Sequence, residues 1–291
     1  LYSSAASDVY KRQRHVGTRG IGETTMGELV RLMVGRDLNE HFPKQRAAIG
    51  DEVLRVEHLE RKGVLHDINF SLRRGEVVGL AGLMGSGRTE LARALFGADR
   101  IDGGRILVRG EERAIRSPRD AIALGLGFLT EDRKQQGLVL VLSVQENICL
   151  PSVSRLSRAG CMQSARETQI TAQRIAELRI KTPGPQQRVV NLSGGNQQKV
   201  VLAKWLCTEA DILIFDEPTR GIDVGSKVEI YQLMNQLAAR GAAILMISSE
   251  LPEILGLSDR ILVMNAGRIA GEFTAAEATQ EKLLAAALGK N

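Results

Sequence analysis

The apolar run Val77–Ala81 leads into Gly82-Leu83-Met84-Gly85-Ser86-Gly87-Arg88-Thr89, and a helical pattern runs from Arg88 to Phe96. This strand, glycine loop and helix constrain the chain more than any other feature. The spacing fits GxxxxGK[ST] at every fixed position except the lysine. Glycines at 82, 85 and 87 let the backbone curl until successive N–H groups point at one anion. The helix that follows adds the positive end of its dipole. Ser86 lies within the loop, Thr89 offers a hydroxyl to a divalent cation, and Glu90 follows it in the first turn. Arg88 keeps the positive charge that lysine would bring, but on a longer, planar fork. The plain alternative is an ordinary turn between strand and helix; the strand–helix context favours phosphate.

A second run, Ile212-Leu213-Ile214-Phe215-Asp216-Glu217, ends an apolar strand in two carboxylates. Ligands of parallel sheets bind at the carboxyl ends of the strands, where such a pair would sit. Asp216 suits a metal ion, and Glu217 suits polarising an attacking water. Alone, the pair reads as an exposed acidic turn; beside a phosphate loop, the metal and base roles are favoured.

Around these runs, strands alternate with helices from Asp51 onward. Val53–Leu59, the alternating Ile68, Phe70 and Leu72, Ala243–Ser248 and Arg260–Met264 read as strands; Val224–Ala239 and Pro252–Leu257 read as helices. Such alternation implies an α/β core with a largely parallel sheet. Residues 143–206 carry helical patterns and no convincing strand, and read as a helical insert in a domain spanning 51–291. Residues 1–14 read as an irregular, non-native leader. Leu29, Leu32 and Met33 give 27–34 a helical period, and 43–50 read as a polar linker.

Composition narrows the function classes. Aromatics are 3% of the chain, which argues against a base-stacking nucleic-acid platform. The net charge of +5 is interleaved with acidic residues rather than blocked, as on a solvated surface. Cys149, Cys161 and Cys207 are widely spaced with no CxxC, so neither a disulfide framework nor a zinc site is expected. No apolar run reaches membrane-spanning length.

Between the phosphate loop and the acidic strand lies Leu192-Ser193-Gly194-Gly195-Asn196-Gln197-Gln198-Lys199. Ser193 is placed to cap a helix while the glycines leave amides accessible to an anion. This run resembles the signature motif of ATP-binding cassette proteins, in that family's order, and the resemblance covers Asp51 to about Lys290. It implies an α/β fold: a P-loop NTPase cassette with a RecA-like parallel-sheet core, an antiparallel β-subdomain and a helical subdomain. It also implies ATP and Mg2+ as cofactors, bound between Gly82–Glu90 of one cassette and Ser193–Gly195 of another. Arg220-Gly221-Ile222-Asp223 resembles the loop that crosses between cassettes.

Thr130–Lys134, Asp216–Val224 and Ser248–Glu253 resemble more closely the second cassette of fused bacterial monosaccharide importers, ribose-type members above all. On that resemblance 15–42 is the tail of a first cassette. The implied partners are that cassette, transmembrane permease subunits reached through Glu131–Val144, and, indirectly, a periplasmic sugar-binding protein. The implied place is the cytoplasmic face of the bacterial inner membrane, with no nucleic-acid partner. Arg88 for lysine, Glu131 for a glutamine and Ser249 for a histidine depart from the general pattern on the γ-phosphate side. They imply a site that binds ATP but hydrolyses it poorly, while Ser193–Gly195 serve the partner's site. The rival readings are a cassette ATPase of DNA repair or translation, a non-hydrolytic structural half, and a phosphate-loop kinase. The last has no use for Leu192–Asn196.

Overall fold

The structure is a computed structural model and describes residues 6–11, 14–20, 44–45, 47–158 and 161–289. Strands β1 (Ala6–Lys11) and β2 (Arg14–Gly20) pair antiparallel with each other; β1 falls in the stretch 1–14 expected to be irregular, and β2 falls almost wholly in 15–42. Val9 and Tyr10 in one run and Val16 and Thr18 in the other favour extended backbone, and the paired backbones satisfy one another without an apolar period. The helix expected at 27–34 lies outside the described residues.

Strands β3 (Glu52–Arg61), β4 (Leu65–Arg73) and β5 (Val77–Gly82) lead to helix α1 (Arg88–Leu95), followed by β6 (Gly103–Val108) and β7 (Glu111–Glu112). β4, β3, β6 and β7 form, in that order, an antiparallel sheet whose register slips at bulges in β3. Helix α2 (Pro118–Ala123) starts on Ser117, whose hydroxyl accepts from the Asp120 amide, and precedes β8 (Leu126–Leu129). A wide helical turn at Arg133–Gly137 opens the helical segment.

That segment holds α3 (Val144–Cys149), α4 (Val153–Leu156), the two-residue strands β9 (Ser157–Arg158) and β10 (Cys161–Met162), α5 (Ser164–Glu177) and α6 (Gly194–Cys207). A reciprocal cap between Ser143 and Glu146 starts α3. The β9–β10 pair is a small departure from the all-helical expectation. It is too short to leave a period in the sequence.

The chain then alternates through β11 (Ile212–Asp216), α7 (Val224–Ala239), β12 (Ala243–Ile247), α8 (Leu251–Leu257), β13 (Arg260–Asn265), β14 (Arg268–Thr274) and α9 (Gln280–Ala287). The central sheet runs β14-β13-β5-β12-β11-β8, parallel except for β14. β11 and β12 are buried along their whole length, as expected of parallel strands covered on both faces. Phe96 after α1 packs tilted against Phe128 of β8 and edge-to-face against Trp205 of α6, at 5.6 and 5.3 Å between ring centroids. This aromatic contact joins the sheet to the helical segment. The chain before β3 lies along the domain: Lys44 pairs with Asp259 at 2.8 Å, and the Gly50 amide donates to the Arg74 carbonyl at 2.9 Å.

Candidate active site

Register brings three strand ends to one level. Leu80 of β5 pairs with Ile247 of β12, and Ile247 pairs with Asp216 of β11. The loop after β5 therefore rises beside the Asp216 carboxylate. Gly82 has φ 154°, and a Cβ there would sit 2.6 Å from both the Met264 carbonyl and the Ser86 hydroxyl. Gly87 ends the loop at φ 103° and precedes α1 with no side-chain cap. The first amides of α1 are thus left for an anion.

The Ser86 hydroxyl and both Asp216 oxygens are buried without a hydrogen-bond partner of good geometry. Buried polar atoms are rarely left so, and a pair of bare carboxylate oxygens beside hydroxyls is hard, oxygen-rich coordination chemistry. Burial pushes the Asp216 carboxyl up to about 6; the Thr89 hydroxyl pulls the other way, and the charges of Glu217 and Glu90 add to the rise. The residues present fit a small divalent cation next to phosphate, which would supply the missing partners.

Glu217 follows at φ 48°, a left-handed conformation that non-glycine residues seldom adopt. Its amide donates to the Ile247 carbonyl at 3.0 Å, which tethers it to the end of β12. Ser249 donates to its carboxylate at 3.2 Å. Arg88 reaches across to donate to the Ser248 carbonyl at 2.8 Å and stands 4.0 Å from Glu217. Burial raises the Glu217 carboxyl above the ordinary range, opposed by the Ser249 hydroxyl and Arg88. Gly82, Gly85, Ser86, Gly87, Arg88, Thr89, Glu90, Asp216, Glu217 and Ser249 are therefore grouped at the carboxyl ends of β5, β11 and β12.

The remaining candidates form a second group. Glu131, just past β8, forms an ion pair with Arg220. Arg133 donates to the Arg220 and Gly221 carbonyls at 2.8 and 3.1 Å. Asp223 caps α7, accepting from the Ser226 amide at 3.0 Å and its hydroxyl at 2.7 Å. Ser193 does not cap α6 with its side chain, contrary to the sequence expectation. Its hydroxyl accepts instead from the Asn196 amide group at 2.8 Å, while Asn196 accepts from the Lys181 backbone at 2.8 Å. The first amides of α6 therefore escape competition from their own serine. A Cβ on Gly195 would fall 2.3 Å from the Ser226 hydroxyl, so α6 packs tightly on the start of α7. Arg133 and Arg220 stand in the recognised motifs, but their partners lie on other segments and leave no signal in the sequence; Asn196 meets Ser193 within one motif and Lys181 outside it.

The family model for ABC transporters matches residues 65–220. The chain is 52% identical over 274 residues to the ribose import ATP-binding protein RbsA of Bacillus subtilis, covering 94% of this chain and 56% of that protein. It is 51% identical to a putative ribose/galactose/methyl galactoside import ATP-binding protein of Geobacillus kaustophilus, over 97% of this chain and 56% of that one. It thus spans about half the length of the curated relatives it matches. Among solved structures, an ATP-binding cassette in its ADP conformation aligns with TM-score 0.66 at 22% identity, over 82% of this chain and 95% of that one. A dimeric bacterial ABC transporter cassette aligns with TM-score 0.65 at 19% identity, over 76% and 98%. These structures share the fold.

Proposed function

We propose that this chain, which belongs to the ABC transporter family, is one ATP-binding half of a ribose-type sugar importer, holding ATP with Mg2+ and hydrolysing it slowly. The observation that carries the nucleotide reading is the buried, unpartnered Asp216 carboxylate beside the loop Gly82–Gly87. Backbone amides of that loop and Ser86 hold phosphate oxygens, Arg88 adds charge, and Asp216 with Thr89 takes the cation, Glu90 standing beside them. Bound Mg2+ would neutralise charge on the phosphate oxygens. Glu217 orients and deprotonates the attacking water. Arg88 and Ser249 stand beside this carboxylate at the positions where the resemblance expects lysine and histidine, which supports slow turnover, because phosphoryl transfer depends on placement of charge.

Ser193, Gly194 and Gly195 serve the site of a second cassette, with Asp223 and Glu131 shaping the crossing loop between them. Transport would run through permease subunits supplied by a periplasmic sugar-binding protein. An import ATP-binding role, the words that the relatives' names carry, would put the chain at the cytoplasmic face of the bacterial inner membrane. Among the described residues no helix is long and apolar enough to cross a membrane.

The test is equilibrium ATP binding with and without Mg2+, followed by single turnover of the bound nucleotide. The protein binds ATP, and the Arg88→Lys, Ser249→His double variant turns it over about tenfold faster. No binding defeats the nucleotide reading; equal turnover defeats slow hydrolysis.

A further inference from the structure

Glu253 of α8 is 1% exposed and has no part in the roles above. Thr219 and Tyr231 donate their hydroxyls to one of its oxygens, and Ser248 donates to the other at 2.8 Å. Lys227, which also pairs with Glu250, stands 3.4 Å away. These donors come from three separate segments. Thr219 lies in the turn that leaves β11 two residues past Glu217. Ser248 ends β12; its carbonyl receives Arg88, and its neighbour Ser249 donates to Glu217. Lys227 and Tyr231 stand on α7, the helix capped by Asp223. Burying a carboxylate is costly unless each lone pair is used, and an apolar side chain of similar size would pack the same space without that cost.

We propose that Glu253 is a positioning residue for phosphoryl transfer, holding the turn after Glu217, the segment after β12 and helix α7 as one body. It touches neither nucleotide nor water. Through Ser248 it sets the carbonyl that anchors Arg88, and through Thr219 it sets the backbone that leads from Glu217 to the crossing loop. The effect of Glu253 on turnover rests on the functional reading above; the mechanical link between the segments does not.

The experiment compares wild type with Glu253→Gln and Thr219→Val. Three quantities are read: ATP affinity, single-turnover rate, and amide hydrogen exchange in the absence of nucleotide. Glu253→Gln keeps the shape and one acceptor oxygen. It lowers turnover about tenfold and leaves affinity within about threefold, a split that a general loss of folding does not produce. Thr219→Val removes one donor and lowers turnover about threefold, with affinity again kept. In Glu253→Gln, exchange quickens together at 217–223 and 248–250 and is unchanged in β5 and α1. Faster exchange confined to α8, unchanged turnover in both variants, or affinity falling in step with turnover overturns the proposal. A wild type that binds no ATP overturns the functional reading instead, and the exchange pattern still decides whether Glu253 joins the three segments.

Discussion

At the carboxyl ends of β5 and β11, the Ser86 hydroxyl and the Asp216 oxygens are buried without partners, whereas on α6 the buried Gln197, Lys199 and Lys204 are paired and the Trp205 indole N–H alone shares the state of Asp216. Gln197 donates to the Val189 carbonyl, Lys199 joins Glu229 and the Arg179 carbonyl, and Lys204 reaches the Gly137 carbonyl. Ser193, Asn196 and Lys181 close a similar chain at the head of the helix. The difference separates two kinds of functional surface. The sheet mouth stores unfavourable desolvation that a charged ligand relieves. The head of α6 is complete in itself and works as a rigid face to be offered to another molecule.

The comparison breaks most sharply at Asp216. Replacing it by Asn lowers Mg2+-dependent ATP affinity by about 30-fold, measured by titration with and without the cation. The same change stabilises the ligand-free fold at high pH. The Asp216 carboxyl is raised from 3.8 to about 6, so the folded state binds the extra proton between those values. Stability contributed at this position is therefore lost as pH rises through that window and stays lost above it. Asp216→Asn gains about 3 kcal/mol at pH 8 and nothing near pH 3.5, read from denaturant midpoints. A destabilised Asn variant at pH 8 would make Asp216 an ordinary structural carboxylate.

Arg133 offers a smaller contrast, because its two hydrogen bonds to the Arg220 and Gly221 carbonyls are already made. Arg133→Ala costs about 1 kcal/mol in urea unfolding and leaves ATP affinity unchanged. A loss of ATP affinity instead would join the crossing loop to the phosphate site. Glu131 and Arg220 give the smallest effect. Their side chains are 35% and 65% exposed, and a double-mutant cycle should give a coupling of about 0.5 kcal/mol that fades with added salt. A coupling that salt does not weaken would mean that the pair is shielded from solvent.

The central strands were legible because buried parallel strands are written as unbroken apolar runs: β5, β11, β12 and β13 all lie where the sequence places them. Helices α1 and α7 were equally plain, each opening on a glycine- or aspartate-marked turn. β8 was not. It is four residues long and holds Gly127, where a Cβ would fall 2.9 Å from Leu213 and from Trp205. Close approach of α6 and β11 demands a glycine there, which erases the strand signal. β14 alternates half-buried and exposed residues, but Gly271 between Ile269 and Phe273 leaves only two apolar side chains on its inner face, too few to read as a strand. At the site, motif spacing singled out the residues but not their partners. Arg88 turned to the Ser248 carbonyl, Glu131 turned to Arg220, and Ser193 turned to Asn196. The first two choices are made by tertiary packing, which spacing along the chain does not encode; the third is a local contact three residues apart at the head of α6.

The central claim is that the face built around Ser193 matters more to transport than the carboxylate Glu217 in the chain's own site. The direct measurement is sugar uptake by the assembled transporter carrying either Ser193→Arg or Glu217→Gln in this half, at matched expression. Ser193→Arg lowers uptake about 100-fold and Glu217→Gln lowers it about twofold. The reverse order, with Glu217→Gln the more damaging change, would contradict the account.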